Sequence, residues 1–105
     1  MSKLIEVNES TFKAEVLQSP VPVLVDFYGT YCGPCKLLKP VLVSLAESLG
    51  NSAKVVTVDI QANEQLTVAY KINVVPTLIT FKDGKQVQRL VGVQDIQILR
   101  EALGV

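Results

Sequence analysis

The sequence contains no tryptophan and no histidine, and only two cysteines among its 105 residues. Two cysteines with no histidine and no second Cys-x-x-Cys fall short of the four ligands a structural zinc site usually takes, so the expectation is no metal and no bound cofactor. The missing tryptophan removes the usual fluorescent probe of unfolding. Charge of one sign is also absent: ten basic residues balance ten acidic ones. No net field recruits nucleic acid or an anionic membrane, no basic cluster stands out, and partners must be recognised by shape. The start, Met1-Ser2-Lys3-Leu4-Ile5-Glu6, has no apolar leader, and no stretch approaches the 18 or so apolar residues of a membrane span. These absences predict a cytoplasmic, reducing location. With no repeat, low-complexity tract or linker, residues 1–105 read as a single domain and a monomer, able to bury roughly 65 % of the unfolded surface without staples.

What the chain does have is Tyr31-Cys32-Gly33-Pro34-Cys35, at the point where a strand pattern gives way to a helix pattern. Residues three apart in a first helical turn share a face, with Cα atoms roughly 5 Å apart, inside the range a disulfide accepts. Cys32 falls at the helix N-terminus, where free N–H groups and the helix dipole favour negative charge and lower a thiol pKa below about 8.5. It is the candidate nucleophile, and Cys35, one turn further in and better covered, is the candidate resolving thiol. Half of a zinc site is a second reading. A purely structural disulfide is a third, although so small a loop barely constrains an unfolded chain.

In chain order, Leu4-Ile5-Glu6-Val7 reads as a short strand, and residues 8–11 offer N-caps for a helix with the apolar stripe Phe12, Val16 and Leu17. Ser19-Pro20-Val21-Pro22 ends it. Val23-Leu24-Val25-Asp26-Phe27-Tyr28 is a near-continuous apolar run, typical of a central strand covered on both faces. The helix beginning near Cys32 carries Leu38, Val41, Leu42, Leu45 and Leu49 at helical spacing until Gly50, with Pro34 tolerated in its first turn and a kink expected at Pro40. Val55-Val56-Thr57-Val58-Asp59-Ile60 is another strand. Ala62, Leu66, Ala69 and Tyr70 mark a short helix that crosses back over the sheet, giving a strand-helix-strand unit with parallel neighbours. Thr77-Leu78-Ile79-Thr80-Phe81 and Gln86-Val87-Gln88-Arg89-Leu90-Val91 flank Asp83-Gly84, a hairpin signal. Ile96, Leu99, Ala102 and Leu103 face a last helix onto the sheet before Gly104. The predicted class is α/β, a central mixed five-stranded sheet flanked by four helices.

This order of elements resembles the thioredoxin family over nearly the whole chain. The residues that carry the resemblance are Cys32-Gly33-Pro34-Cys35-Lys36, Asp26 in the preceding strand, Pro40, Val75-Pro76-Thr77, Lys82-Asp83-Gly84 and Gly92. The resemblance implies the thioredoxin fold and a protein disulfide reductase: Cys32 attacks a substrate disulfide, Cys35 resolves the mixed disulfide, and Val75-Pro76 is a cis bond beside the thiols. It implies disulfide-containing target proteins as partners, and a thioredoxin reductase, linked to NADPH or ferredoxin, as electron source. It places Tyr31, Gly33, Pro34, Val74, Val75, Pro76 and Gly92 on a substrate-binding rim, where the Val75 backbone can pair with an extended segment. Taken alone, Val74 and Val75 also read as ordinary core.

Asp26 has an argument of its own. It interrupts an apolar strand, and a buried carboxylate without a partner prefers to hold a proton, which it can exchange with Cys35. The alternative is a surface-facing aspartate near the strand end. Two departures from the family stand out: Tyr31 and Tyr28 occupy positions where tryptophan is usual, and Thr57 stands where many members place a lysine. Losing that cation should leave the Asp26 pKa higher. Besides a reductase, the sequence allows a disulfide oxidase or isomerase, which needs an oxidising compartment, and a non-catalytic protein-binding subunit.

Overall fold

A computed structural model describes residues 4–105; residues 1–3, part of the stretch read as lacking a leader, lie outside them. The elements are strand β1 (Ile5–Glu6), a π-helical segment (Lys13–Leu17), β2 (Val23–Tyr28), helix α1 (Gly33–Leu49), β3 (Lys54–Asp59), α2 (Glu64–Ala69), β4 (Thr77–Lys82), β5 (Lys85–Val91) and α3 (Ile96–Leu103). The strands form one mixed sheet in the order β1-β3-β2-β4-β5. Strand β2 is central, parallel to β3 and antiparallel to β4. This is the α/β thioredoxin fold, with a five-stranded sheet between helical layers.

Strand β2 reads as a continuous apolar run because both of its faces are covered. Leu24 packs with Leu38, Leu42, Leu45 and Leu49 of α1 and with Leu99 and Leu103 of α3. Val23, Val25 and Phe27 point the other way, onto Phe12, Val16, Ile72 and Phe81. Each fully buried leucine contributes roughly 2 kcal/mol from area removed from water, so α1 is fixed to the sheet along its whole length. The helix starts at Gly33-Pro34, where a missing N–H has no helical partner to lose, and continues through Pro40 to a cap at Gly50. At the β4–β5 turn, Asp83 and Gly84 both take positive φ, as their types suggest. A Cβ on Gly84 would lie 2.8 Å from the Leu17 carbonyl oxygen, so the hairpin tip seats directly on the end of the π-helical segment.

Three expectations need correction. The first strand is only two residues long, because only Ile5 and Glu6 come into register with partners on β3, Val56 and Thr57. The short helix starts at Glu64, after an exposed Ala62, and Ala69 is exposed as well. Nor does α2 join parallel neighbours: it leads from β3 to β4, which are not adjacent and run in opposite directions, whereas the parallel strand-helix-strand unit is β2-α1-β3. An apolar spacing marks a helix, but only the sheet order decides which strands it joins.

Candidate redox site

Strand β2 ends at Tyr28, and a turn through Gly29 and Thr30 leads to Cys32, the N-cap of α1. A Cβ on Gly29 would sit 3.3 Å from Val75 Cγ2 and 3.7 Å from Cys32 Cβ. The bare glycine therefore lets the Val75 loop and the cysteine turn close on one another. Cys32 and Cys35 form a disulfide, with S–S 2.07 Å and Cα atoms 5.3 Å apart, matching the spacing expected of a first helical turn. Cys32 is extended, as an N-cap should be, and its Sγ accepts the backbone N–H of Cys35 at 3.1 Å. A sulfur thus takes the capping role usually filled by a serine or aspartate oxygen.

The expected difference in cover between the two cysteines is not present in this disulfide form. Cys32 is 7 % exposed and Cys35 8 %. What separates them is electrostatic: Cys32 Sγ lies where the helix N-terminus offers an N–H, and Cys35 Sγ caps nothing.

Asp26 is buried, 4 % exposed, which removes the surface-facing reading. Its Oδ1 has no hydrogen-bond partner among the described residues. Burial, and after it the negative charge of Glu6, raises the Asp26 pKa from 3.8 to about 7. Asp26 and Cys35 line one cavity of about 580 Å³ between the sheet and α1, together with Glu6, Tyr28, Thr57, Asp59, Lys36 and Lys39. Thr57 lies directly beside Asp26 in the sheet register, but its hydroxyl donates to Glu6 Oε1 at 3.0 Å. The Tyr28 hydroxyl also donates to Glu6, 3.1 and 3.0 Å from its two oxygens. Burial, then the hydrogen bond to Glu6, then the charges of Glu6, Asp59 and Asp26, push that phenol up to about 12, so it remains a donor at neutral pH.

Around the disulfide, Tyr31 is 96 % exposed and Val74 51 %. Gly33 and Pro34 are exposed, and Val75 and Gly92 half-buried. Pro76, expected on the rim, is instead buried. The Val75–Pro76 bond is cis, as the resemblance implied. The loop is held by Thr77 Oγ1 donating to the Val74 carbonyl at 2.6 Å and by Gly92 N–H donating to the Pro76 carbonyl at 2.9 Å. No intramolecular hydrogen bond among the described residues uses the Val75 backbone.

Sequence reasoning missed Glu6, Asp59, Lys36 and Lys39 as neighbours of Asp26. A charged residue at the second position of a two-residue strand carries little signal. Strand register, which aligns Glu6 with Thr57, Thr57 with Asp26 and Tyr28 with Asp59, brings in the two acids, and the seating of α1 on the sheet brings in the two lysines. No cluster of His, Cys, Asp and Glu fit to hold a metal occurs among the described residues, and none of their helices is long and apolar enough to cross a membrane.

A dithiol–disulfide pair at the N-terminus of a helix, set at the end of the central strand of a mixed sheet, defines a thiol-disulfide oxidoreductase. The thioredoxin family model matches residues 3–104. Thioredoxin 1 of Nostoc sp. is 46 % identical over 92 residues, 88 % of this chain and 86 % of that protein. The thioredoxin of Mycobacterium tuberculosis is 41 % identical over 101 residues, 95 % of this chain and 87 % of that protein. A bifunctional thioredoxin reductase/thioredoxin of Mycobacterium leprae is 42 % identical over 88 residues, 84 % of this chain but 19 % of that longer protein. The chain belongs to the thioredoxin family. It is a protein disulfide reductase, with disulfide-containing proteins as targets and a reductase as electron source.

Proposed function

We propose that Cys32 is the attacking thiol, Cys35 the resolving thiol and Asp26 the group that takes up the Cys35 proton. The observation that carries the assignment is the hydrogen bond from Cys35 N–H to Cys32 Sγ at the N-cap of α1. A donor already aimed at that sulfur, added to the helix dipole, stabilises a thiolate on Cys32. The thiolate attacks one sulfur of a substrate disulfide, forming a Cys32–substrate disulfide and releasing the first substrate sulfur as a thiolate, which takes a proton from water. Cys35 then gives its proton to the Asp26 carboxylate, and its sulfur attacks Cys32 Sγ. The intramolecular disulfide forms, the second substrate thiolate departs and is protonated, and two electrons have passed to the substrate. A pKa of about 7 leaves a substantial share of Asp26 ionised near neutral pH and able to accept that proton.

Tyr31, Gly33, Pro34, Val74, Val75 and Gly92 form the rim against which the substrate segment lies, with the free Val75 backbone pairing to an extended strand and buried Pro76 fixing that loop from beneath. An NADPH- or ferredoxin-linked thioredoxin reductase returns the electrons, and the joining of a reductase to a similar domain in the Mycobacterium leprae protein supports such a partner. The chain works as an electron-transport protein, a single domain of residues 1–105 and a monomer. Its place is the cytoplasm, where the thiol pool keeps a donor dithiol reduced. It binds no nucleic acid, metal or cofactor.

The test is trapping. Incubated with a disulfide substrate, Cys35→Ser should accumulate a mixed disulfide through Cys32 that persists until an external thiol is added, and Cys32→Ser should trap far less. Mass spectrometry of non-reduced adducts reads both; equal trapping by the two variants overturns the assignment.

A further inference from the structure

The cavity that reaches Asp26 has a built entrance. Glu6, Thr57 and Asp26 occupy one row across β1, β3 and β2, with Glu6 aligned to Thr57 and Thr57 to Asp26. Residues aligned across neighbouring strands project to the same face, so the three side chains stand side by side along the cavity wall. On the other side the row continues through Leu78 on β4 to Leu90 on β5, and neither contributes a charge. In the next row Tyr28 aligns with Asp59, and Tyr28 and Thr57 converge on Glu6 through the three short contacts already described. An exposed glutamate on a two-residue strand is ordinarily free to rotate. Two hydroxyl donors, from two different strands, hold this one in place beside the opening.

We infer that Glu6 is a positioning residue for the reductase reaction: pinned by Tyr28 and Thr57 at the mouth of the cavity, its charge acts through Asp26 on the proton step that readies Cys35. The inference rests on the proposed role of Asp26 and adds to it a residue that touches neither the cysteines nor the substrate.

The electrostatics support the geometry. The other charged or titratable groups lining the cavity are Tyr28 and Asp59 on the sheet and Cys35, Lys36 and Lys39 on α1. Neither lysine forms an ion pair with Asp26 or Glu6 among the described residues. Glu6 is the one charge that contributes to the rise at Asp26, behind burial, and it acts in the same direction. An anion beside a buried carboxyl favours its protonated form. Glu6 therefore keeps Asp26 from ionising until higher pH, and burial alone would leave it a weaker base. The hydroxyl of Thr57, turned toward Glu6, is withheld from Asp26, which keeps its Oδ1 unpartnered.

Glu6→Gln separates charge from structure, because the amide keeps an oxygen to accept from Tyr28 and Thr57 while losing the negative charge. In oxidised protein, where neither cysteine titrates, the Asp26 carboxyl is followed by carbon-13 NMR against pH in wild type, Glu6→Gln and Glu6→Asp. The midpoint should move to lower pH in Glu6→Gln and return toward the wild-type position in Glu6→Asp, which restores the charge. The acidic limb of the pH–rate profile for decay of the Cys32 mixed disulfide should shift the same way. A purely structural Glu6 lowers melting stability and leaves both pH positions where they were, which overturns the inference. Should Glu6→Gln fold poorly, wild-type protein at rising ionic strength serves instead, because screening an exposed glutamate should lower the Asp26 midpoint, and a midpoint indifferent to salt overturns the inference. Asp26→Asn in the same rate assay keeps the two layers apart. If it leaves the rate profile unchanged, the Asp26 role and the Glu6 inference fall together; if it flattens the profile while Glu6→Gln moves nothing, only Glu6 falls.

Discussion

Replacing Asp26 with Asn should change the pH dependence of stability more than stability at any single pH. In the folded protein the Asp26 pKa is raised from 3.8 to about 7, by burial first and by Glu6 second. Below about pH 4 the carboxyl is protonated in both folded and unfolded chains and costs nothing. As pH rises from about 4 to 7 the unfolded chain ionises while the folded one holds its proton, so stability falls; above about 7 both are ionised and the loss levels off. A shift of that size corresponds to about 4 kcal/mol, an amount not discounted for solvent screening because the group is only 4 % exposed. Asparagine cannot ionise, so its advantage over Asp26 should grow by about 4 kcal/mol between pH 4 and pH 9. Against this stands a constant penalty of about 1–3 kcal/mol for amide donors buried without a partner. The variant should be the less stable of the two at pH 4 and the more stable at pH 9. Because the chain has no tryptophan, guanidinium melts of the oxidised proteins are followed by circular dichroism across that range. A difference between the two proteins that stays flat from pH 4 to 9 refutes the reasoning, since it means that Asp26 ionises alike in the folded and unfolded states.

Two further substitutions probe the surroundings. Tyr31→Trp, at a side chain 96 % exposed, should leave stability within about 0.5 kcal/mol while altering the ratio of kcat/KM between two disulfide substrates; a loss of several kcal/mol places the ring in the core instead. Gly84→Ala forces a side chain onto φ +78° and 2.8 Å from the Leu17 carbonyl oxygen, and should cost about 2 kcal/mol or more in a denaturant melt. An unchanged melt means that the hairpin tip does not seat on the π-helical segment. The same melts serve the Glu6 variants, which keep both cysteines and can be compared with wild type in the oxidised form.

Local chemistry made much of the fold legible in the sequence. The span of β2 follows from an apolar run with turn residues on either side, the start and end of α1 from Gly33-Pro34 and Gly50, and the β4–β5 turn from Asp83-Gly84, because each signal is short-range and rests on backbone preference or burial of one segment. The dithiol was legible for the same reason: three residues in one helical turn fix its Cα separation without help from the rest of the chain. Asp26 was legible as an interruption of an apolar run.

Tertiary structure decided whatever depends on which strands are neighbours. The apolar pattern of the 62–70 stretch is the same whether its helix joins parallel or antiparallel strands, and the sheet order β1-β3-β2-β4-β5 settles the matter. Burial is likewise a property of the assembled layers, so Cys32 and Cys35 are equally covered even though their positions in the helix differ, and Pro76 lies beneath the rim and not on it. The cavity beside Asp26 is the clearest case. Glu6 is 20 residues from Asp26 along the chain, and Thr57 is 31 residues beyond it; the alignment of β1, β3 and β2 puts the three in one row. Sequence by itself determined that this chain carries a redox dithiol on an α/β scaffold and a carboxyl in its central strand. The charge standing next to that carboxyl was fixed by strand register, because electrostatic coupling depends on distance in space and not on separation along the chain.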